Sequence, residues 1–544
     1  MNSLKIIQPF LKENKLLLII YSLCIIISHP LESIIIPKIF SNFFEELNNN
    51  ISNEIFIKYF KILASFMTLI TIAYIINSKL DASIITNFYE SVSNIFFEKI
   101  LYFYENNYSD LELGKLGARL SVVPSIIKEL TTDLFNWVIP KFLTILFINI
   151  YFFRTNTKLG CLSLIVVSSI FFFNILSFNP CIDLSYDRYI LYENKSEQIQ
   201  DKLSNLSTIY SSGNTNFEIN EYKKIISTFK NKQYNTLICI NNIKNFNNIF
   251  ILILFLLLCV FTVYLYKNKE ISNKELITIF MILLFYTQGL NTIATYLPDY
   301  VSHLGVIKSV NSFINEIYIN QSVKPDIVLN SGKIEIKNLN FGYNKTNIFN
   351  NFNLTINNNE KIGIIGNSGN GKSTIIKLIM GYYKVKDNTI FIDNKDINKY
   401  NLKSLRKQIS YINQNTKLFN KSIYENIQYG NNISINEIKK LFEKFNLNKL
   451  FNNIDKNKVV GVNGDELSGG QKQIIQLLRI YNKNNKILIL DEPTASLDND
   501  TKIIIINIIK EISKNNTLLI ITHDNSNLNI IDRIIKIQNG KIFN

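Results

Sequence analysis

Arginine is absent from the first hundred residues, histidine occurs three times in all, and the five cysteines form no C-x-x-C pair. Each shortage removes a class of function. Cys24, Cys161, Cys181, Cys239 and Cys259 lie in or beside apolar runs with no histidine partner, so they read as small hydrophobes in helices and not as metal or disulfide chemistry. An arginine-free start does not match a transit peptide. No small-residue cleavage site follows the first apolar run, so a removed signal is not expected either. The formal charge of +15 invites a nucleic-acid partner. Yet the lysines are scattered, with no arginine cluster and no basic–aromatic stripe, and no nucleic acid is expected. The excess of Asn, Ile and Lys, all with A/T-rich codons, reads as genome composition.

What is abundant is apolar length. Gly160 to Ile182, Asn245 to Tyr266 and Leu276 to Leu297 carry no charge, and each exceeds the roughly 18 residues that mark a membrane-spanning helix. Leu16 to Pro37 is interrupted only by His29 and Glu32. Phe56 to Asn77 holds Lys58 and Lys61, and Leu134 to Phe153 holds Lys141; these two runs complete a set of six spans. Before them, "SLKIIQPFLKENK" reads as an amphipathic helix lying along the bilayer surface. Ser78 to Asp133 and Asp183 to Lys244 are long polar connections that read as helical, whereas the other three are short. An even number of spans puts both termini and both long connections on one side. Lysine counting supports that side being cytosolic only in part, since the last short loop also carries Lys267, Lys269 and Lys274.

After Leu297 the pattern changes. Pro298 and Pro325 bracket a polar stretch that reads as helical, and from Gly332 short apolar strands, "KIGIIG", "NTIFID", "KILILD" and "TLLIIT", alternate with helices. That is an α/β domain with a buried, largely parallel sheet. Its first strand runs into "GNSGNGKST", a strand–glycine turn–helix that fits G-x-x-x-x-G-K-[ST]. Gly366, Asn367, Ser368, Gly369, Asn370, Gly371, Lys372, Ser373 and Thr374 would form a phosphate cradle. Its backbone N–H groups and helix N-terminus would face the phosphates. Lys372 would reach the β- and γ-phosphates of ATP and Ser373 would ligate Mg²⁺. "KILILDEP" delivers two acids to a strand end, Asp491 for the metal and Glu492 as general base toward an attacking water. His523, ending "TLLIITH", stands where a γ-phosphate contact is wanted.

"DELSGGQKQ" is a second phosphate-like loop. Ser468 is an N-cap with Gln471 three residues on to complete a capping box, and the helix start would bind an anion well. Since the first loop already cradles the nucleotide, the loop Leu467, Ser468, Gly469, Gly470 and Gln471 is expected to close on nucleotide held by another copy. Two chains head to tail would then sandwich two ATP molecules.

The order of these motifs resembles that of ABC transporters of the exporter type, as a half-transporter: "GKIEIKNLNFGYN", "GNSGNGKST", "YINQNTKLFNKSIYENIQYG", "LSGGQKQ", "ILILDEPTASLD" and "ITHD". "YFYENNYSDLELGKLGARL" is similar to the segment after the second span of such exporters. The resemblance implies a multi-domain chain. An N-terminal all-α six-span membrane domain (1–317) and a linker (318–331) would precede a C-terminal α/β P-loop ATPase domain of the ABC type (332–544). It further implies that Tyr343 stacks on adenine, that Gln414 touches Mg²⁺, and that Asp498 crosses the dimer interface. Coupling helices would lie near Asp110–Arg119 and Ser207–Phe217. The expected activity is ATP-driven export or flipping across a membrane by alternating access. The partner would be a second copy or a related half-transporter, with the soluble domain and both termini in the cytosol, or in matrix or stroma if organellar. Pro493, where exporters more often have Ala, and the missing Arg after the second Gln of "LSGGQKQ" depart from the pattern without altering a catalytic atom. No peptidase domain precedes the membrane half, which argues against the peptide-processing branch. An ATP-gated channel on the same core is the alternative; a coiled-coil chromosome ATPase is excluded by the spans. No pattern selects a substrate. His29 and Glu32, a turn apart in the first span, either face a translocation cavity or pair within the helices. Gln288 and Asn291 carry the same ambiguity.

Overall fold

The protein is described here from a computed structural model. It covers residues 3–49, 53–106, 112–319, 324–343, 346–367, 369–414, 417–452, 454–481, 483–495, 497–522 and 529–543. The chain divides into two compact units, Met1–Tyr102 with Leu111–Asn320, and Phe103–Asp110 with Gln321–Asn544.

Among the described residues, the regular structure of the first unit is all helix. α1 (Ser3–Glu13) and α2 (Lys15–Pro30) lead through a π-helical stretch, Leu31–Ile35, into α3 (Ile36–Asn49). α4 (Asn53–Asn106) and α5 (Leu113–Asp133) follow, and a second π-helical stretch, Leu134–Val138, leads into α6 (Ile139–Thr155). α7 (Thr157–Ser204), the short α8 (Leu206–Ser211), α9 (Thr215–Lys267) and α10 (Asn273–Ile319) complete it. Among the described residues, six helical stretches are long and apolar enough to cross a membrane, and they contain the six runs read from the sequence. In hydrocarbon every backbone polar group must be satisfied within the segment, which is why each run is helical throughout. The polar stretch after Pro298, read as helical, is helical as far as Ile319, and α10 runs through the proline without a break. A proline removes one helical bond without ending a helix whose neighbours hold it on both sides.

Polar side chains tie these helices together. Ser163 donates to Asn149 at 2.7 Å, Asn149 donates to the Tyr286 hydroxyl at 3.2 Å, and Asn174 and Asn247 exchange amide bonds at 2.9 and 3.0 Å. Such bonds are worth about 0.6 kcal/mol each in hydrocarbon, so they fix register more than stability. Where the apolar runs end, charges take over: Lys244 bonds Asp299 at 2.8 Å and Lys308 bonds Asp183 at 2.6 Å. Arg119 of α5 makes a two-pronged pair with the buried Glu193 of α7, at 2.8 and 2.7 Å, beneath the Phe313 ring. The cysteines correct the sequence reading in part. Cys181 and Cys239 are joined as a disulfide between α7 and α9, their Cα atoms 5.7 Å apart. They are 58 residues apart in sequence, so only the pairing of two long helices brings them together.

The second unit holds two sheets. β1 (Ile334–Tyr343), β2 (Thr346–Ile356), β4 (Ile390–Ile392) and β5 (Lys395–Asp396) form an antiparallel sheet in the order β2-β1-β4-β5. β3 (Lys361–Ile365), β6 (Ile409–Ile412), β7 (Ile487–Asp491), β8 (Thr517–Ile521), β9 (Arg533–Gln538) and β10 (Lys541–Phe543) form a sheet in the order β10-β9-β3-β8-β7-β6. All its pairs are parallel except β9–β10. One strand expected in the parallel sheet, "NTIFID", is instead β4 of the antiparallel one. Its partner choice is local, because Asp393 and Asn394 both take left-handed backbone and turn the chain straight into β5. Alternate residues of the parallel strands feed two separate cores. Ile362, Ile364, Ile487, Ile489, Leu519 and Ile521 face one, and Leu488, Leu490, Leu518 and Ile520 face the other.

Gly114 and Gly117 make a controlled comparison in α5. A Cβ on Gly114 would meet the Glu197 Cα at 2.5 Å, whereas one on Gly117 meets nothing within 4 Å. Gly114→Ala should therefore cost about 1–3 kcal/mol by overpacking. Gly117→Ala should gain up to about 1 kcal/mol in helix propensity. Thermal unfolding of the two purified variants in detergent should move in opposite directions; a shared direction would contradict the close approach of α5 to α7.

Candidate functional site

The site is built at the ends of the parallel strands. β3 runs into the glycine loop and then α11 (Lys372–Ile379). Two glycines are required by the backbone. Gly371 has φ +88, and a Cβ there would lie 2.6 Å from the Phe349 ring. Gly366 has φ +155, and a Cβ there would lie 2.3 Å from the Ile537 carbonyl oxygen. Asn370 anchors the loop from its side chain, donating to the Ile537 carbonyl at 3.1 Å. Lys372 is only 8% exposed and its Nζ donates to the carbonyls of Gly366 and Asn367, at 2.6 and 3.0 Å. The lysine head thus sits inside the curve of the loop, and burial holds its pKa below the ordinary lysine value. Ser368 lies outside the described residues.

β7, buried along its whole length, ends on Asp491. Burial pushes the Asp491 carboxyl up, the Ser373 hydroxyl bonded to it pulls back, and the Glu492 charge adds to the rise. Ser373 and Asp491 are therefore already neighbours, one from α11 and one from β7. They are hard oxygen donors of the kind Mg²⁺ takes, one or two from protein with phosphate supplying the rest. Glu492 stands in left-handed backbone, φ +51, which a non-glycine residue adopts only when its surroundings hold it there. Its N–H donates to the Ile521 carbonyl at 2.9 Å, and Gln414, just beyond β6, donates from Nε2 to its carboxylate at 2.6 Å. The structure thus brings Gln414 to Glu492. His523 lies outside the described residues.

Tyr343, the last residue of β1, packs edge-on against Phe341 and Tyr383, and its hydroxyl is 3.5 Å from Thr374 Oγ1 at the start of α11. Tyr383 was not singled out in the sequence. It follows α11 in an unpatterned turn, so only the fold reveals it beside Tyr343.

The second loop belongs elsewhere in the domain. Two short helices, α12 (Leu402–Arg406) and α13 (Ile423–Gln428), and α14 (Ile435–Lys444) separate it from the first, and α15 (Gly469–Ile480) begins on it. Ser468 is the N-cap, accepting from the Gln471 N–H at 3.3 Å, while Gln471 accepts from the Ser468 N–H at 2.9 Å, a complete capping box. Gln471 also donates to the Leu450 carbonyl at 2.8 Å, which leaves Ser468 and Gly469 exposed at the helix start. Leu467 and Gly470 are buried, and a Cβ on Gly470 would meet Thr501 at 2.7 Å. That residue lies in the first turn of α16 (Asn499–Ile512), whose N-cap is the exposed Asp498, accepting from the Thr501 N–H at 2.9 Å. α11 packs into one core and α15 into the other. Gln473, given no role in the sequence reading, donates to the Pro493 carbonyl at 3.2 Å and so ties α15 to the segment after Glu492.

Comparison with known proteins agrees with this geometry. A family model described as ABC transporter transmembrane region matches residues 16–290, and one described as ABC transporter matches 349–495. An ATP-dependent lipid A-core flippase of Syntrophus aciditrophicus is 39% identical over 215 residues, 39% of this chain and 36% of that protein. The mitochondrial iron-sulfur clusters transporter ATM1 of Debaryomyces hansenii is 39% identical over 198 residues, 35% of this chain and 28% of that protein. The chain spans between 19% and 38% of the length of the first curated relatives it matches. A bacterial Atm1-family ABC exporter solved with ATP bound shares the fold, with a TM-score of 0.84 and 18% identity over 98% of this chain and 95% of that one. With six apolar spans under the first family model and the glycine loop and acidic strand end under the second, the chain belongs to the ABC transporter family, as an integral membrane protein.

Proposed function

We propose that this chain is an exporter-type half-transporter, an ATPase that drives a substrate across a membrane by alternating access. The observation that carries the reading is the convergence of Lys372, Ser373, Asp491, Glu492 and Gln414 at one sheet edge, in a chain that also holds six apolar spans. The division at 1–317, 318–331 and 332–544 separates the part that moves cargo from the part that hydrolyses nucleotide. The soluble domain and both termini face the cytosol, or matrix or stroma in an organelle.

In this reading Tyr343 stacks on adenine, and the N–H groups from Gly366 to Thr374 cradle the phosphates. Lys372 exchanges its two loop carbonyls for β- and γ-phosphate oxygens. Ser373, Asp491 and Gln414 would hold Mg²⁺, which supplies positive charge to the phosphate oxygens as negative charge develops on the leaving group. Glu492 accepts the proton of the attacking water, and releasing it from Gln414 frees the carboxylate oxygen that does so. His523 contacts the γ-phosphate.

The loop Leu467–Gln471 and Asp498 act on the nucleotide bound by a second copy. Two arguments support this. α11 and α15 are committed to separate cores, and α15 starts on the exposed Ser468 and Gly469, where a helix N-terminus favours an anion. Closure of two such sites around ATP, followed by hydrolysis and release, is the cycle that turns the spans.

In lipid nanodiscs, the chain should show Mg²⁺-dependent ATPase activity, and Glu492→Gln should lower kcat about 10²–10⁴-fold while nucleotide still binds. Unchanged turnover in that variant would remove Glu492 as the base. A mixing experiment tests the composite site. Lys372→Ala and Ser468→Arg should each be inactive alone, yet co-expressed chains should regain up to about a quarter of the wild-type rate, because random pairing leaves one intact site in each mixed dimer. No recovery in a purified mixed dimer would mean that each chain completes its own site.

A further inference from the structure

Span 1 carries His29 and Glu32, span 2 carries Tyr74, and span 3 carries Lys141, and the fold brings all four together. The Tyr74 hydroxyl donates to Glu32 at 2.5 Å, and the His29 and Tyr74 rings meet edge-on with centroids 5.9 Å apart. Lys141 lies within electrostatic reach of both His29 and Glu32.

Their depth follows from helix geometry. Tyr21, Asp81 and Asn136 join the same three spans at one level, with Tyr21 donating to Asn136 and Asn136 donating to Asp81 at 2.8 Å. His29 is eight residues beyond Tyr21, Tyr74 seven before Asp81 and Lys141 five beyond Asn136. At about 1.5 Å per residue these are rises of about 12, 10 and 8 Å from a common plane. Asn136 stands near the start of its apolar run and Asp81 four residues past the end of its own, so Tyr74 and Lys141 lie roughly 5 to 10 Å inside a hydrocarbon core about 30 Å thick.

The charges in this layer are not equally served. Glu32 has a strong donor in Tyr74. The Lys141 ammonium makes no hydrogen bond or ion pair among the described residues, and it is half-buried. An ammonium with three idle donors at that depth is costly, and such a group in a span marks a ligand or ion path. The backbone points to the same place. The π-helical stretch Leu31–Ile35 contains Glu32 and packs on α6, and the stretch Leu134–Val138 ends three residues before Lys141. Wide turns of this kind recur at binding sites because they displace a side chain from the helical register.

We propose that Lys141, with His29 beside it, is an intramembrane site for an anionic group of the cargo, a carboxylate or a phosphate. Glu32, held by Tyr74, is the nearby negative charge with which the cargo anion competes for the field of the ammonium. This rests on the transporter reading above, but its test does not depend on ATP turnover.

Trp137 is the chain's one tryptophan and lies about a turn before Lys141, stacked on Tyr296, so its emission reports on the site. The full chain in phosphatidylcholine nanodiscs is titrated with 4-nitrobenzoate and with its neutral analogue 4-nitrobenzamide. A second arm compares nanodiscs containing brominated phosphatidylglycerol with nanodiscs containing brominated phosphatidylcholine. Saturable quenching is expected from at least one anion and not from its neutral counterpart. Response in the first arm alone assigns a water-soluble anion, response in the second alone a lipid headgroup, and response in both an anion from either source. Lys141→Met should weaken saturable quenching at least tenfold, and Lys141→Arg should retain it. Glu32→Gln should tighten it several-fold, a gain that a misfolded variant does not give. Equal quenching by charged and neutral probes in both arms, or full retention in Lys141→Met, overturns the site. Loss of ATPase control by Glu492 with selective quenching intact would overturn the transporter reading and leave the site standing.

Discussion

Burial of the parallel strands on both faces is the constraint from which the soluble unit's chemistry follows. β3, β8 and β7 are apolar at nearly every position, so neither face can hold a charge, and polar residues are driven to the strand ends. Asp491 is the last residue of its strand and Lys372 opens the helix that follows the glycine loop after β3. Parallel direction then does the rest, because strands that run the same way release their polar residues at the same edge. The left-handed turn at Glu492 and the Gln414 amide arrive at that edge for the same reason.

The membrane unit obeys a different solvent. Its helices are fixed by the need to satisfy backbone groups internally, which says little about which helix meets which. Register comes from sparse polar contacts: the Asn149–Ser163–Tyr286 group, the Asn174–Asn247 pair, and the charges that line the ends of the apolar runs. Arg119 and Glu193 extend the same logic beyond the runs, where a buried two-pronged pair specifies one alignment of α5 on α7. Removing one partner of such a pair costs about 3–5 kcal/mol, far more than the pair itself contributes.

The parts legible in the sequence were those encoded over short spacings. The glycine loop with Lys372 and Ser373, the acids after β7, the capping box at Ser468 and the six apolar runs each declare themselves within a few turns of chain. What the sequence could not supply was partner choice. "NTIFID" has the composition of a parallel strand, and only the Asp393–Asn394 turn sends it to the other sheet. Tyr383 beside Tyr343, Gln473 on the Pro493 carbonyl, and Lys141 near His29 are long-range meetings with no periodic signal. The Cys181–Cys239 link is the same case, two residues that individually match the apolar helices around them.

That link also constrains how the bundle can deform. α7 and α9 are long rods, and the cross-link sits near the middle of each. Two rods pinned at mid-length cannot slide past one another, and a rotation of either about its own axis is transmitted to the other. They can scissor about the pin, so that ends drawn together on one side of it force a matching change on the other. The pair is in effect a pivot, and its fulcrum lies where the apolar run of α7 gives way to charge.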